Sequence, residues 1–219
     1  MRYQHTDTNG NQLNLPLGKI VCVGRNYVAH AKELNNAVPD EPLLFLKPAT
    51  AFSPFEFDIN SSEASYPLHY ELEIAVLIKN TLKNATSEEA EAAICGIGLA
   101  LDLTYRDLQK ALKDKGYPWE KAKAFDASCP TSQFYTGDIK AFNELEITLE
   151  INSQLRQHGK TTDMIVDIIS LVQYSSCHFT LLPGDIVLTG TPAGVGVLSK
   201  GDTLTGKLDD YFMVTTSVK

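Results

Sequence analysis

The residues of this chain best placed to do chemistry are carboxylates. Glu71 and Glu73 stand two apart in Tyr70–Ile78 (YELEIAVLI), a run that reads as a β-strand. Residues i and i+2 of a strand share a face, so the two carboxylates point the same way about 6–7 Å apart, where like charges repel. Leu72, Ile74, Val76 and Ile78 form an apolar row on the other face. Two readings are open: an edge strand with a wet face, or a carboxylate pair held by a cation. Asp102 adds weight to the second. It closes Ala93–Asp102 (AICGIGLALD), an almost wholly apolar segment. An Asp in that place is either the cap of the next helix or a ligand held at a strand end. Three carboxylates with no Cys or His partner would make a hard-oxygen site, suited to Mg2+ or Mn2+ rather than zinc.

His30 and Glu33 have the spacing that brings two side chains together on one face of a helix. An imidazole held by a carboxylate is a general base near neutral pH, although an ordinary exposed helix pair has the same spacing. Cationic and polar candidates follow: Arg25 after a strand and a Gly, Lys47 after PLLFL, Arg106 with Gln109 three residues on, and Lys123. Taken singly, each cation reads as a solvated surface charge. Lys123 stands out for its small, apolar and aromatic surroundings in Trp119–Phe125 (WEKAKAF). Leu188–Gly196 (LTGTPAGVG), which contains Thr191, is a Gly/Thr-rich loop whose N–H groups can hold an oxyanion. It lacks the Lys and spacing of a P-loop, and neither a GxSxG elbow nor an HExxH zinc motif occurs in the chain.

These residues need a scaffold, and strand-like segments dominate the sequence. They are Lys19–Val23, Pro42–Leu46, Tyr70–Ile78, Leu145–Ile151, Asp185–Thr189, Leu204–Lys207 and Tyr211–Val218. Helices are expected over Tyr27–Leu34, over Ser87–Cys95 with Ser87 as its cap, over Thr104–Lys115 ending at Gly116, and over Asp163–Cys177. The alternation of a doubly wound sheet is absent, so the pattern predicts a β-rich α+β fold. No repeat or linker divides the chain.

Composition narrows the function classes. Among 219 residues, 19 Lys and Arg face 27 Asp and Glu, a net charge of −8. An acidic chain is a poor binder of phosphate backbones, so a nucleic-acid partner is not expected. No apolar run approaches the ~18 residues needed to span a bilayer, and the polar start Met1–Asp7 lacks the apolar core of a signal peptide. The scattered cysteines, Cys22, Cys95, Cys129 and Cys177, have neither metal-ligand nor redox spacing and read as buried free thiols in a reducing cytoplasm.

Several motifs in one order resemble the fumarylacetoacetate hydrolase superfamily. They are VGRNY at Val23–Tyr27, LFLKP at Leu44–Pro48, HYELE at His69–Glu73, LDLTYRDLQ at Leu101–Gln109, GYPWEKAKAFDASCP at Gly116–Pro130 and LTGTPAGVG at Leu188–Gly196. The resemblance covers about residue 18 to the end and is strongest to short acylpyruvase and oxaloacetate decarboxylase types. It implies a mixed β-sandwich or β-roll with short peripheral helices, usually a homodimer. Residues 1–17 would be an N-terminal extension and 18–219 one catalytic domain, with no room for the extra N-terminal domain of larger members. Glu71, Glu73 and Asp102 would hold one Mg2+ or Mn2+. His30 and Glu33 would be the catalytic dyad on a lid helix, with Lys123 stabilising negative charge. Arg106, Gln109, Lys123 and Thr191 would contact the substrate, and Arg25 and Lys47 would support the pocket. The implied substrates are small enolisable 2-oxo acids. The implied reactions are C–C hydrolysis of acylpyruvates or decarboxylation of oxaloacetate through a pyruvate enolate at the ion. Oxaloacetate enol–keto tautomerisation is the alternative, since it too passes through the enolate of a 2-oxo acid. A metal-bearing interaction domain without catalysis is a third reading, which the His30–Glu33 dyad disfavours.

Overall fold

The computed structural model describes residues 3–34, 37–61, 66–139 and 141–219. Met1 and Arg2 of the polar start lie outside them. The chain opens with the hairpin β1 (Gln4–Thr6) and β2 (Gln12–Pro16), then β3 (Ile20–Gly24), α1 (Val28–Glu33), β4 (Leu43–Lys47) and β5 (Phe52–Pro54). Next come β6 (Leu68–Tyr70), β7 (Leu72–Ile78), α2 (Ser87–Ala92), β8 (Ile94–Leu101), β9 (Thr104–Tyr105), α3 (Arg106–Asp114) and α4 (Glu120–Lys123). The last part holds β10 (Cys129–Thr131), β11 (Glu146–Ile151), β12 (Gln154–Lys160), α5 (Ile168–His178), β13 (Ile186–Leu188), β14 (Gly196–Val197), β15 (Thr203–Leu208) and β16 (Phe212–Ser217). The β-rich α+β class expected from the sequence is the one observed.

A seven-stranded mixed sheet runs β4-β3-β13-β7-β8-β10-β5. β7 is central, antiparallel to both β13 and β8, while β13 is parallel to β3. That position explains its composition: all seven of its residues are buried. Leu72, Ile74, Val76 and Ile78 pack with Leu149, Leu204 and Leu208 of the four-stranded sheet β12-β11-β15-β16. Ala75 and Leu77 face the opposite way, into Cys22, Ile186, Leu188 and Phe134, a layer that Leu15 of the N-terminal hairpin helps to cover. The wet edge-strand reading of Glu71 and Glu73 is therefore excluded.

The expected strand Tyr70–Ile78 is broken at Glu71. β6 pairs with β9 and β14 in a small sheet, whereas β7 pairs in the large one, so Glu71 sits at the joint. Register then sets the site. Leu72 lies opposite Leu101, and one step further Asp102 N–H donates to Glu71 O at 2.8 Å. Antiparallel pairing of β7 with β8 and β13 places the start of β7 beside the ends of the other two strands, and β3 ends on that same side.

Four further expectations are corrected. The helix predicted from Thr104 starts at Arg106, because Thr104 and Tyr105 pair with β6; Asp102 is therefore no helix cap. The helix predicted over Asp163–Cys177 is Ile168–His178. Ile165 and Val166 are held out of the helix by hydrogen bonds to Asn26, Met164 bridges to Tyr27, and Asp167 caps the helix through Ser170 N–H. The cap of α2 is Thr86, in a reciprocal box with Glu89, rather than Ser87. All four cysteines are free, but only Cys22 and Cys129 are buried; Cys95 is half-buried and Cys177 exposed. Among the described residues no helix is long and apolar enough to cross a membrane.

Candidate metal and substrate site

Strand ends supply the centre of the site. Glu71 precedes β7, Glu73 is its second residue, and Asp102 follows β8. Their ligating oxygens lie within 4.8 Å of one another, and the three side chains are buried. Lys123, at the end of α4, donates to Glu71 Oε2 at 2.8 Å and to Asp102 Oδ2 at 2.6 Å. Arg106, the first residue of α3, pairs with the other oxygen of Glu71. Lys47 is wholly buried behind Asp102, with Nζ 2.9 Å from Oδ1, and donates to the main-chain oxygens of Lys123 and Ser128. That approach to Oδ1 is an ion pair without hydrogen-bond alignment, so Oδ1 has no hydrogen-bond donor. Lys47 is not among the cavity-lining residues; it braces the floor from below.

The loop after β13 closes the floor. Gly190 N–H donates to Glu73 Oε2 at 2.6 Å. The Thr191 hydroxyl donates to Leu72 O at 2.8 Å and accepts from Gln157 Nε2 at 2.8 Å, so it is committed to the scaffold. Gln157 Oε1 in turn accepts from Leu72 N–H at 2.9 Å. Thr191 still lines the cavity.

The charges do not cancel evenly. Burial, and then the neighbouring charge of Asp102, push the Glu73 carboxyl up to about 8. Burial also acts to raise Asp102, but Lys123 and Lys47 together outweigh it and hold that carboxyl below its usual range. A buried, hard-oxygen cluster with one carboxylate reluctant to ionise and one oxygen lacking a donor fits a divalent cation, which would favour the charged form of all three.

Across the cavity, α1 presents the dyad. His30 is buried, with Nδ1 3.2 Å from Glu33 Oε2, and the other Glu33 oxygen accepts from Gly194 N–H at 2.9 Å. With Nδ1–H donating to Glu33, the unprotonated lone pair is on Nε2. Desolvation lowers the His30 pKa; the Glu33 hydrogen bond opposes this, while Arg106 lowers it further. Burial thus favours the neutral imidazole over the charged one.

The structure brings Arg25, His30, Glu71, Glu73, Asp102, Arg106, Gln109, Lys123 and Thr191 to one cavity. Gln109 Oε1 accepts from Arg106 Nη1 at 2.9 Å, fixing both side chains. Sequence reasoning missed Gln157, because β12 is a polar edge strand (QLRQHGK) with no alternation to mark it. It also missed Lys113 and Trp119, which line the same cavity. The helical period from Arg106 through Gln109 would have reached Lys113.

This fold and site define a class. The chain matches the family model "Fumarylacetoacetate (FAA) hydrolase C-terminal" over residues 19–218 and belongs to that family. It is 48% identical over 218 residues to oxaloacetate tautomerase YcgM of Escherichia coli (strain K12), covering 97% of this chain and 98% of the relative. A mitochondrial oxaloacetate decarboxylase of Dictyostelium discoideum is 41% identical over 192 residues, covering 85% and 86%. The crystal structure of fumarylpyruvate hydrolase from Pseudomonas aeruginosa in complex with Mn2+ and pyruvate superposes with a TM-score of 0.92 at 33% identity, covering 99% of this chain and 95% of that one.

Proposed function

We propose that the protein is a divalent-metal-dependent enzyme of small enolisable 2-oxo acids and that enol–keto interconversion of oxaloacetate is its principal reaction. The observation that carries this is His30, held by Glu33 and lining the same cavity as the Glu71–Glu73–Asp102 cluster and Lys123. The tautomerase name of the 48%-identical relative supports it. Tautomerisation needs one proton moved between C3 and O2, and no attacking water.

Glu71, Glu73 and Asp102 would hold Mg2+ or Mn2+, which when bound acts as a Lewis acid on the oxo oxygen. The chain does the rest. Arg106, fixed by Gln109, binds the substrate's C1 carboxylate. His30 Nε2 takes the C3 proton; the C–H pair becomes the C2–C3 double bond and the carbonyl π pair moves to O2. Lys123 N–H donates to O2 as its negative charge grows. Glu33 holds the imidazole ring in orientation and stabilises the imidazolium that forms. Transfer of that proton from the His30 imidazolium to O2 releases the enol, and its return to C3 releases the ketone.

Decarboxylation and acylpyruvate hydrolysis instead reach the pyruvate enolate, by C–C cleavage, and the same groups would stabilise it. The Dictyostelium relative's name and the Pseudomonas hydrolase keep that second reading in view. Stopped-flow absorbance of enol-oxaloacetate, run beside a coupled pyruvate assay with Mg2+ or Mn2+, separates them. Enol loss at least tenfold faster than pyruvate formation is expected. Equal rates would replace tautomerisation with decarboxylation, and no acceleration of either, with metal bound, would sink both.

A further inference from the structure

The cavity carries more positive charge than a simple 2-oxo acid requires. Four cations line it (Arg25, Arg106, Lys113 and Lys123) against three carboxylates, Glu71, Glu73 and Asp102. A divalent ion at the cluster brings the sum to plus three, and one substrate carboxylate leaves plus two. Lys123 and Arg106 are engaged with the cluster. Arg25 and Lys113 are not: among the described residues neither pairs with a carboxylate. Among the described residues Arg25 Nη1 donates to Ala37 O at 3.3 Å, and Lys113 Nζ stands 5.7 Å from the centroid of the Trp119 ring.

Geometry separates these two cations from the cluster. Arg106, Gln109 and Lys113 lie on one face of α3, within an arc of about 60° at 3.6 residues per turn. Seven residues at 1.5 Å per residue set the Cα of Lys113 about 10 Å along the axis from that of Arg106. Arg25 converges on the same end from the loop after β3. It holds a left-handed backbone (φ 62°), which is costly for a non-glycine residue and aims this side chain where an extended backbone would not. The Lys113 ammonium is depressed by desolvation and by the charges of Arg25 and Arg106. Like-charged groups gathered at one end of a cavity without a carboxylate partner are an anion site awaiting its anion.

We infer that Lys113 and Arg25 form a distal subsite for a second carboxylate, so that the enzyme selects dicarboxylic 2-oxo acids over neutral acyl analogues. This rests on the 2-oxo acid reading above and deepens it. With C1 and the oxo group at the Arg106–Lys123 end, the substituent beyond C3 extends toward Lys113 and the Trp119 face. A C4 carboxylate there meets two cations, whereas a methyl ketone leaves both unpaired and their desolvation uncompensated.

Oxaloacetate and acetylpyruvate form a matched pair, sharing carbons 1–3 and differing in carboxylate against acetyl. In the Mg2+-loaded enzyme, Lys113→Met should lower the ratio of their kcat/KM values about tenfold, a loss expected for one charged hydrogen bond. Lys113→Arg should retain the ratio. A second readout needs no turnover: Trp119 is the single tryptophan, so its fluorescence reports binding of malate against 2-hydroxybutyrate, which differ in carboxylate against methyl. Malate should bind at least tenfold tighter to wild type, and Lys113→Met should remove most of that preference. Equal loss on both members of each pair, or no change in either ratio, overturns the subsite. If the wild type consumes neither oxo acid, the functional reading fails, and the malate titration still decides the subsite.

Discussion

Lys123→Met tests whether a lysine and a divalent ion share the same oxygens. In the structure the Lys123 ammonium is buried and bonds Glu71 Oε2 and Asp102 Oδ2, at 2.8 and 2.6 Å. Methionine keeps the apolar stem and removes only the charge. Stripping one partner from a buried ion pair costs about 3–5 kcal/mol. Here Lys47 still faces Asp102 and Arg106 still faces Glu71, so the cost falls below that range, to about 2–3 kcal/mol. For a chain of this size each kcal/mol moves Tm by about 2–4 °C, so a fall of roughly 4–12 °C is expected in EDTA. Saturating Mn2+ should recover most of it, because the ion then neutralises the same carboxylates. By linkage, what the fold loses without metal returns as metal affinity: 2 kcal/mol is about thirtyfold in Kd. Thermal unfolding followed by circular dichroism, with and without Mn2+, and calorimetric titration of the ion measure both quantities. An equal fall in Tm under both conditions, with Kd unchanged, would show that Lys123 and the ion do not share those oxygens.

Two further perturbations probe the dyad and the floor. Glu33 raises the His30 pKa against burial, Arg106 and Lys123, so Glu33→Gln should lower it further. A base works unprotonated and rate is lost as pH falls through its pKa; the acid limb of kcat/KM should therefore move to lower pH while the plateau drops about tenfold or more. A profile from pH 5 to 8 checks this, and a limb that stays or moves up refutes the assignment. Gly190 has φ +90°, and a Cβ there would lie 2.7 Å from Asn26 Cβ. Gly190→Ala should cost about 2 kcal/mol or more in urea unfolding, against less for Gly10→Ala, whose φ of +83° opens on empty space. Equal losses for the two glycines would remove the steric argument.

Much of this molecule was legible along the chain. Apolar or alternating runs marked β3, β4, β11, β13, β15 and β16 within one residue of where they form, because a strand buried on both faces is continuously apolar and one buried on a single face alternates. Hydrogen-bonding partners distant in sequence were not legible. Asn26 pulled Ile165 and Val166 out of the expected helix, and pairing with β6 took Thr104 and Tyr105 from α3. A polar edge strand gave no alternation, so Gln157 and its link between Leu72 and Thr191 went unseen.

The site divides in the same way. Residue type and two-residue spacing alone put Glu71 and Glu73 on one face and marked Asp102 as a carboxylate closing an apolar segment, because side-chain direction along a strand is local geometry. Whether that face was wet or buried was a tertiary matter: the central place of β7 buried both carboxylates, and register brought Asp102 beside Glu71. Lys47 reads as a surface charge in one dimension, yet the fold buries it under Asp102. Strand order, register and the sign of each neighbour's charge come from contacts between residues far apart in the chain, and no local pattern encodes them.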